Sequence, residues 1–299
     1  MKANIGKLWV LLLAGAPVIA CGGKSVNSGV AGAPAVQSSS STGAGNSDSQ
    51  RSPRQSLHWR GKTKNLEVRA VNGPVRAVLG TGDEADVVAN VFKSRHGAAL
   101  RLNVVEKGDL TLICVAPAAG DDDHEHGDNE FTEHRIHRER GSNGDEGDEC
   151  SQQNGMRGGS VELIVQVPPR TKFAGWTVNG SVEAQGLEGE VEAHTQNGAV
   201  HIETTGLARA STVNGPIRAK IGAKSWSGTV ALESVNGRLE VELPPDIGAE
   251  LRADTVHGSV RVGPKMDGAR VEENHVEGRL GKGGGELRLR TVNGPIDVR

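Results

Sequence analysis

Apolar and polar positions alternate with period two along much of this chain. Val200 and Ile202 are interleaved with His201 and Glu203, and Leu239, Val241 and Leu243 with Glu240 and Glu242. Alternation of this kind predicts short strands with one buried and one solvated face. No helical period is sustained beyond the first twenty residues, so the pattern predicts an all-β protein.

The alternating runs are punctuated by a repeated unit, Val-Asn-Gly or a variant of it. Its glycines are Gly73, Gly180, Gly198, Gly215, Gly237, Gly258, Gly278 and Gly294, and the variants include Val256-His257-Gly258 and Val276-Glu277-Gly278. From Gly180 onward the glycines recur every 16 to 22 residues, and Thr or Ser usually stands three places earlier, as at Thr177, Thr195, Thr212, Ser234, Thr255 and Thr291. Second turn signals lie at Gly189, Gly228, Gly248 and Gly268. A fixed period of this length is the signature of a repeat architecture.

Asn-Gly between alternating strands is also the signature of a two-residue hairpin, so an antiparallel meander or sandwich is the alternative. In that hairpin the residue after glycine donates its N–H across the turn. Pro74, Pro216 and Pro295 stand there in three of the eight copies and have no N–H to give. A solenoid corner accepts proline and uses glycine for a positive φ. The expected fold is therefore a β-solenoid, a β-helix-like stack with glycine corners, in which Asn179, Asn197, Asn214 and Asn236 stack about 4.8 Å apart as an amide ladder. A longer echo points to an internal duplication: Val-Pro-Pro followed by Thr-Val-Asn-Gly-Ser-Val within residues 161–182 is repeated as Leu-Pro-Pro and Thr-Val-His-Gly-Ser-Val within 239–260.

Composition limits what fills such a stack. Glycine accounts for 42 of 299 residues, tyrosine is absent, and there are only three Phe and four Trp. The core must be built from Val, Leu, Ile and Ala, with Trp176 and Trp226 expected to fill the interior or seal a coil. A formal charge of −3, without basic stripes interleaved with aromatics, excludes nucleic acid as a partner.

The ends and the interruptions define the expected organisation. Lys2 and Lys7 precede an apolar run from Leu8 to Ala20, too short to span a bilayer and broken by Gly15 and Pro17. Residues 1–20 read as an export signal. The Val18-Ile19-Ala20-Cys21 ending resembles the lipobox of bacterial lipoproteins, which implies diacylglyceryl and palmitate-type acylation at Cys21. Two or three acyl chains anchor a protein lastingly where one is marginal. Residues 21–57 read as a flexible tether, 58–118 as an N-terminal β lobe, 119–158 as an acidic insertion, and 159–299 as the regular repeat domain. Gly22 and Gly23 occupy the places where many Gram-negative lipoproteins carry an inner-membrane retention aspartate, so the resemblance implies the outer membrane.

With Cys21 committed to lipid, Cys114 and Cys150 remain, and export to an oxidising compartment predicts a disulfide between them. Two separate thiols are the alternative. The insertion, residues 119–158, holds 12 Asp or Glu against 4 Arg and is expected to be disordered. His124, His126, His134 and His137, beside Asp121 to Asp123, offer nitrogen and oxygen donors for weak binding of a divalent metal. Their spacing is not that of a closed structural zinc site. No other cofactor is expected.

The tandem Val-Asn-Gly corners and Val-Pro-Pro strand ends, over roughly residues 64–299, resemble a bacterial family of β-strand-repeat proteins known as "putative adhesins", similar to the head domains called GIN. The resemblance implies an exported scaffold and carries over no catalytic residue; the acidic insertion departs from the family pattern. The expected function is that of a non-catalytic envelope lipoprotein, held to the membrane by its lipid and binding an envelope protein or polysaccharide. The alternatives are a polysaccharide-active β-helix enzyme, which needs acids from neighbouring coils converging on a groove, and a metal-responsive envelope protein.

Overall fold

The computed structural model describes residues 52–93, 100–117 and 159–299. Among the described residues there are 21 strands and no helix, arranged as one ten-stranded and one eleven-stranded sheet. The inward side chains of both sheets form a single buried cluster.

The repeating unit is a coil of two strands, one in each sheet, joined at a glycine bend. Four consecutive coils run β8 (Lys172–Asn179) to β9 (Val182–Leu187), β10 (Val191–Asn197) to β11 (Val200–Thr204), β12 (Ala208–Asn214) to β13 (Ile217–Ile221), and β14 (Thr229–Asn236) to β15 (Leu239–Glu242). Equivalent strands pair in parallel, with Asn197 opposite both Asn179 and Asn214. The fold is thus the expected β-solenoid-like stack, and parallel pairing rules out hairpins at the Asn-Gly bends of these coils. Period-two alternation turns Val191, Ala193 and Thr195 inward and leaves Glu192 and His194 outside.

Three features of the repeat now have physical causes. The asparagines form a ladder of six, each side-chain amide donating to the carbonyl of the next at 2.7 to 3.0 Å: Asn293 to Asn236, Asn214, Asn197, Asn179 and Asn72. The Thr or Ser that stands three places before six of the glycines is buried, and its hydroxyl donates to the glycine carbonyl of the neighbouring coil, as from Thr195 to Gly180 at 2.9 Å and from Thr212 to Gly198 at 3.1 Å. Proline after glycine loses nothing, because in this parallel ladder that residue supplies only its carbonyl, as Pro216 does to the Val200 N–H at 3.0 Å.

The expected positive φ accounts for only some of the glycines, Gly180, Gly215 and Gly294 among them at 158°, 158° and 151°. Gly73 also has a positive φ, at 134°, but Gly198 and Gly237 do not. What they require is space: a Cβ on Gly198 would lie 1.9 Å from the Gly180 carbonyl oxygen, and one on Gly237 1.8 Å from that of Gly215. The bends stack so closely that the chain has no room for a side chain.

Order in space departs from order in sequence at two places. The coil β2 (Asn65–Arg69) to β3 (Val75–Leu79) lies between β7 (Ser160–Val167) and β9 in one sheet, and between β6 (Leu110–Pro117) and β8 in the other. The coil β20 (Gly285–Asn293) to β21 (Ile296–Val298) lies between β14 and β16 (Ala249–His257), and between β15 and β17 (Val260–Val262). The chain steps over each inserted coil through the two duplicated loops, Pro168-Pro169 and Pro244-Pro245. Each loop closes the same turn, Thr171 N–H to the Pro168 carbonyl and Ile247 N–H to the Pro244 carbonyl, both at 3.2 Å. Antiparallel strands cap the ends: β1 (Gln55–Gly61), β4 (Ala85–Lys93) and β5 (Leu100–Lys107) at one, β18 (Met266–Val271) and β19 (His275–Leu280) at the other. The strand β1 begins within the segment expected to be tether.

Candidate functional site

Cys21, Cys150, His124, His126, His134 and His137 lie outside the described residues. Cys114 is fully buried in β6, opposite Arg69 and Asn103. Among the described residues, no group of three or more His, Cys, Asp or Glu is placed to hold a metal ion. Gly73, Gly180, Gly198, Gly215, Gly237, Gly258 and Gly294 sit at bends between the two sheets. Gly278 does not. It lies inside β19, opposite Leu251 in an antiparallel pair, because the chain has left the stack there and runs straight through the motif.

The outward face of the eleven-stranded sheet carries two polar rows that cross neighbouring coils. One row across the strands reads Arg69, Trp176, His194 and Ser211, and the row two residues earlier reads Glu67, Ala174, Glu192 and Arg209. Trp176 was expected inside, but it shares strand parity with Lys172 and Ala174, while Phe173, Gly175 and Thr177 take the core positions. Its indole stacks on the His194 imidazole with ring centroids 3.9 Å apart. Trp226 does pack against the core, its indole N–H donating to the Glu286 carbonyl at 3.2 Å.

His194 links three strands. Its Nδ1 lies 2.6 Å from Ser211 Oγ, and its Nε2 lies 3.0 Å from Glu192 Oε1. That hydrogen bond from His194, opposed by partial burial, holds the Glu192 carboxyl below its ordinary pKa. Glu190 bridges Lys172 at 2.9 Å and Arg209 at 3.3 Å, and Glu67 pairs with Arg69 at 2.6 Å. Because Ala174 is short, the surface dips between Glu67 and Glu192 into a shallow depression of about 290 Å³, with Arg209 and Lys172 at its rim. Donors and acceptors alternate over a few ångströms there, and the charges largely compensate one another. The opposite face is similar in kind, with cross-coil pairs such as Arg218–Glu240 at 2.8 Å and Lys220–Glu203 at 2.6 Å.

The sequence holds a signal for this site that residue-type motifs do not reveal. Arg69, Trp176, His194 and Ser211 all stand four places before a repeat glycine, and Glu67, Ala174, Glu192 and Arg209 six places before. Superposing the copies on their glycines brings each row into line.

Residues 171–299 match the family model described as Toastrack DUF4097. No curated protein matches the chain. Among solved structures, a "putative cell adhesion protein" from Clostridium sporogenes aligns at 12% identity and a TM-score of 0.42, covering 82% of this chain and 98% of that one. A "putative adhesin" from Bacteroides fragilis aligns at 10% identity and a TM-score of 0.32 with the same coverages.

Proposed function

We propose that this protein is a non-catalytic scaffold of the bacterial cell envelope, acylated at Cys21, probing its surroundings on a tether and binding partners through the outward face around Trp176 and His194. The observation that supports this most is the compensated polar surface on a rigid stack. Each charged group beside the depression already has a counter-charge or hydrogen-bond partner, so the face offers directional contacts without a net field. Shallow, repeated contacts of this kind gain strength by multivalency when many copies share a membrane.

A second reading, cleavage of a polysaccharide, draws on Glu67 and Glu192, which flank Ala174 from neighbouring coils. A general acid in such a pair needs a raised pKa. Glu192 is shifted the other way by His194, so it suits only the ionised member of such a pair.

The test uses the full chain in envelopes. Ala174→Arg fills the depression without touching the core, and Cys21→Ser removes the acyl acceptor. Cross-linked envelope material should be recovered with the unaltered chain, fall several-fold with Ala174→Arg, and vanish from the membrane fraction with Cys21→Ser. Equal recovery from all three sinks the proposal, and release of reducing sugar from envelope glycan by the unaltered chain, abolished by Glu192→Gln, establishes the second reading instead.

A further inference from the structure

The two inserted coils are variants of one another. Leu66, Arg69 and Val71-Asn72-Gly73-Pro74 of the first correspond in spacing to Leu287, Arg290 and Val292-Asn293-Gly294-Pro295 of the second. Each fills a slot opened where the chain steps through a Pro-Pro loop, and each is paired in parallel on both sides. Coil 285–298 matches β14 through seven residue pairs and β16 through eight, and adds Ile296 to Val298 against β15 and β17. Its Leu287, Leu289 and Ile296 are fully buried.

The covalent routes into the two slots have nothing in common. The first coil precedes its Pro-Pro loop by about ninety residues of chain, whereas the second follows its loop by about forty. The same kind of coil nevertheless seats in the same kind of slot. Pairing and side-chain fit, not the connection, therefore define what the slot accepts. The connection into coil 285–298 is also rich in glycine, Gly281-Lys282-Gly283-Gly284, with φ of 52° at Gly281 and 76° at Gly283.

We infer that the slot between β14–β15 and β16–β17 is a coil-binding interface whose second occupant is coil 285–298 of another copy of this chain, so that two molecules associate by reciprocal exchange. Every pairing of the closed molecule is kept in the exchanged pair, and the glycine run supplies the hinge. The closed form wins in dilute solution because its own coil has the higher effective concentration. Crowding on a membrane shifts the balance toward exchange. This association is independent of the partner-binding face proposed above, since it uses the slot and leaves that face exposed.

The test uses two single variants of the full chain, Glu233→Cys and Arg290→Cys, on outward positions that are register partners in β14 and β20. One chain is isotopically heavy. The two are unfolded together, refolded, oxidised and read by mass spectrometry for a heavy-to-light bridge between positions 233 and 290. The bridge is expected, with its yield rising about tenfold for a tenfold rise in refolding concentration while it remains a minor product. It should be absent when each variant is folded separately and then mixed briefly. The double variant checks the geometry by closing the same bridge within one chain. A bridge that closes in the double variant but never forms between chains at any concentration overturns the inference, and so does a double variant that folds but cannot close it.

Discussion

Val235-Asn236-Gly237-Arg238-Leu239 and Val276-Glu277-Gly278-Arg279-Leu280 differ at a single position, yet the first bends between sheets and the second runs straight through β19. Their surroundings explain why. Asn236 joins the amide ladder on both sides, and Ser234 donates to the Gly215 carbonyl at 3.2 Å, so the first segment is fixed by its neighbours above and below. In the second, Glu277 cannot donate to a ladder, and the place of the serine is taken by His275, bound instead to Asp254 at 2.6 Å. The corner is thus a property of stacked coils, with the hydroxyl and the amide as its working parts. Glycine alone is not enough.

Four experiments bear on this contrast. The largest effect should come from placing a charge on each region. Leu289→Asp puts a carboxylate into the fully buried interior of the stack and should abolish cooperative folding, because an unpaired buried charge costs several kcal/mol. Val271→Asp at the cap, where the side chain is 66% exposed, should shift the urea midpoint by no more than the equivalent of about 0.5 kcal/mol. Similar losses at both would mean that the cap is as tightly built as the stack.

Next come the two glycines themselves. Gly237→Val forces a Cβ to within 1.8 Å of a backbone oxygen and should cost about 3 kcal/mol or more. Gly278→Val meets its nearest neighbour, the Ala269 Cα, at 3.2 Å and should cost appreciably less in the same denaturation assay. Removing the amide sharpens the picture further. Asn214→Ala deletes two ladder bonds and should lose about 1 to 2 kcal/mol, whereas His257→Ala, at the ladder's end, should be nearly neutral by thermal melting.

The smallest effect is in acid. Because Glu192 has a lowered pKa in the folded state, its contribution is fully present above the ordinary carboxylate value of 4.5 and is lost as pH falls through the lowered value. Glu192→Gln should therefore lower stability slightly at neutral pH, with the loss shrinking as the pH falls below 4.5 and vanishing in strong acid, so that this part of the profile flattens. A profile identical to that of the unaltered chain would show that the His194 bond does not persist in solution.

Much of the stack was legible because its signals are local. Alternation gave the strands, proline after glycine told against hairpins, and equal offsets before glycine anticipated the ladder from Asn179 to Asn236. Its extension to Asn72 and Asn293 was not legible, since nothing local says that a coil has been inserted out of order. The Pro-Pro echo marked the two places where this happens, but as a likeness between segments, without the step it encodes. Trp176 was misplaced because hydrophobic size suggested the core, where parity along β8 decides. The outward rows went unseen because Glu192, His194 and Ser211 are ordinary residues until the copies are superposed.

The inserted coil also constrains the order of assembly. A simple stack can grow from either end, one neighbour at a time. Here β16 to β19 leave the exit path before residues 285–298 do, so the capping strands are made while the layer that must lie beneath them does not yet exist. Self-assembly should start in the sequential coils β8 to β15 and finish by admitting a keystone, a step that joins distant parts of the chain and is slow for that reason. Until it is seated, two rows of unpaired backbone groups face each other across a gap, and the molecule is most open to proteolysis and to pairing with the wrong strand.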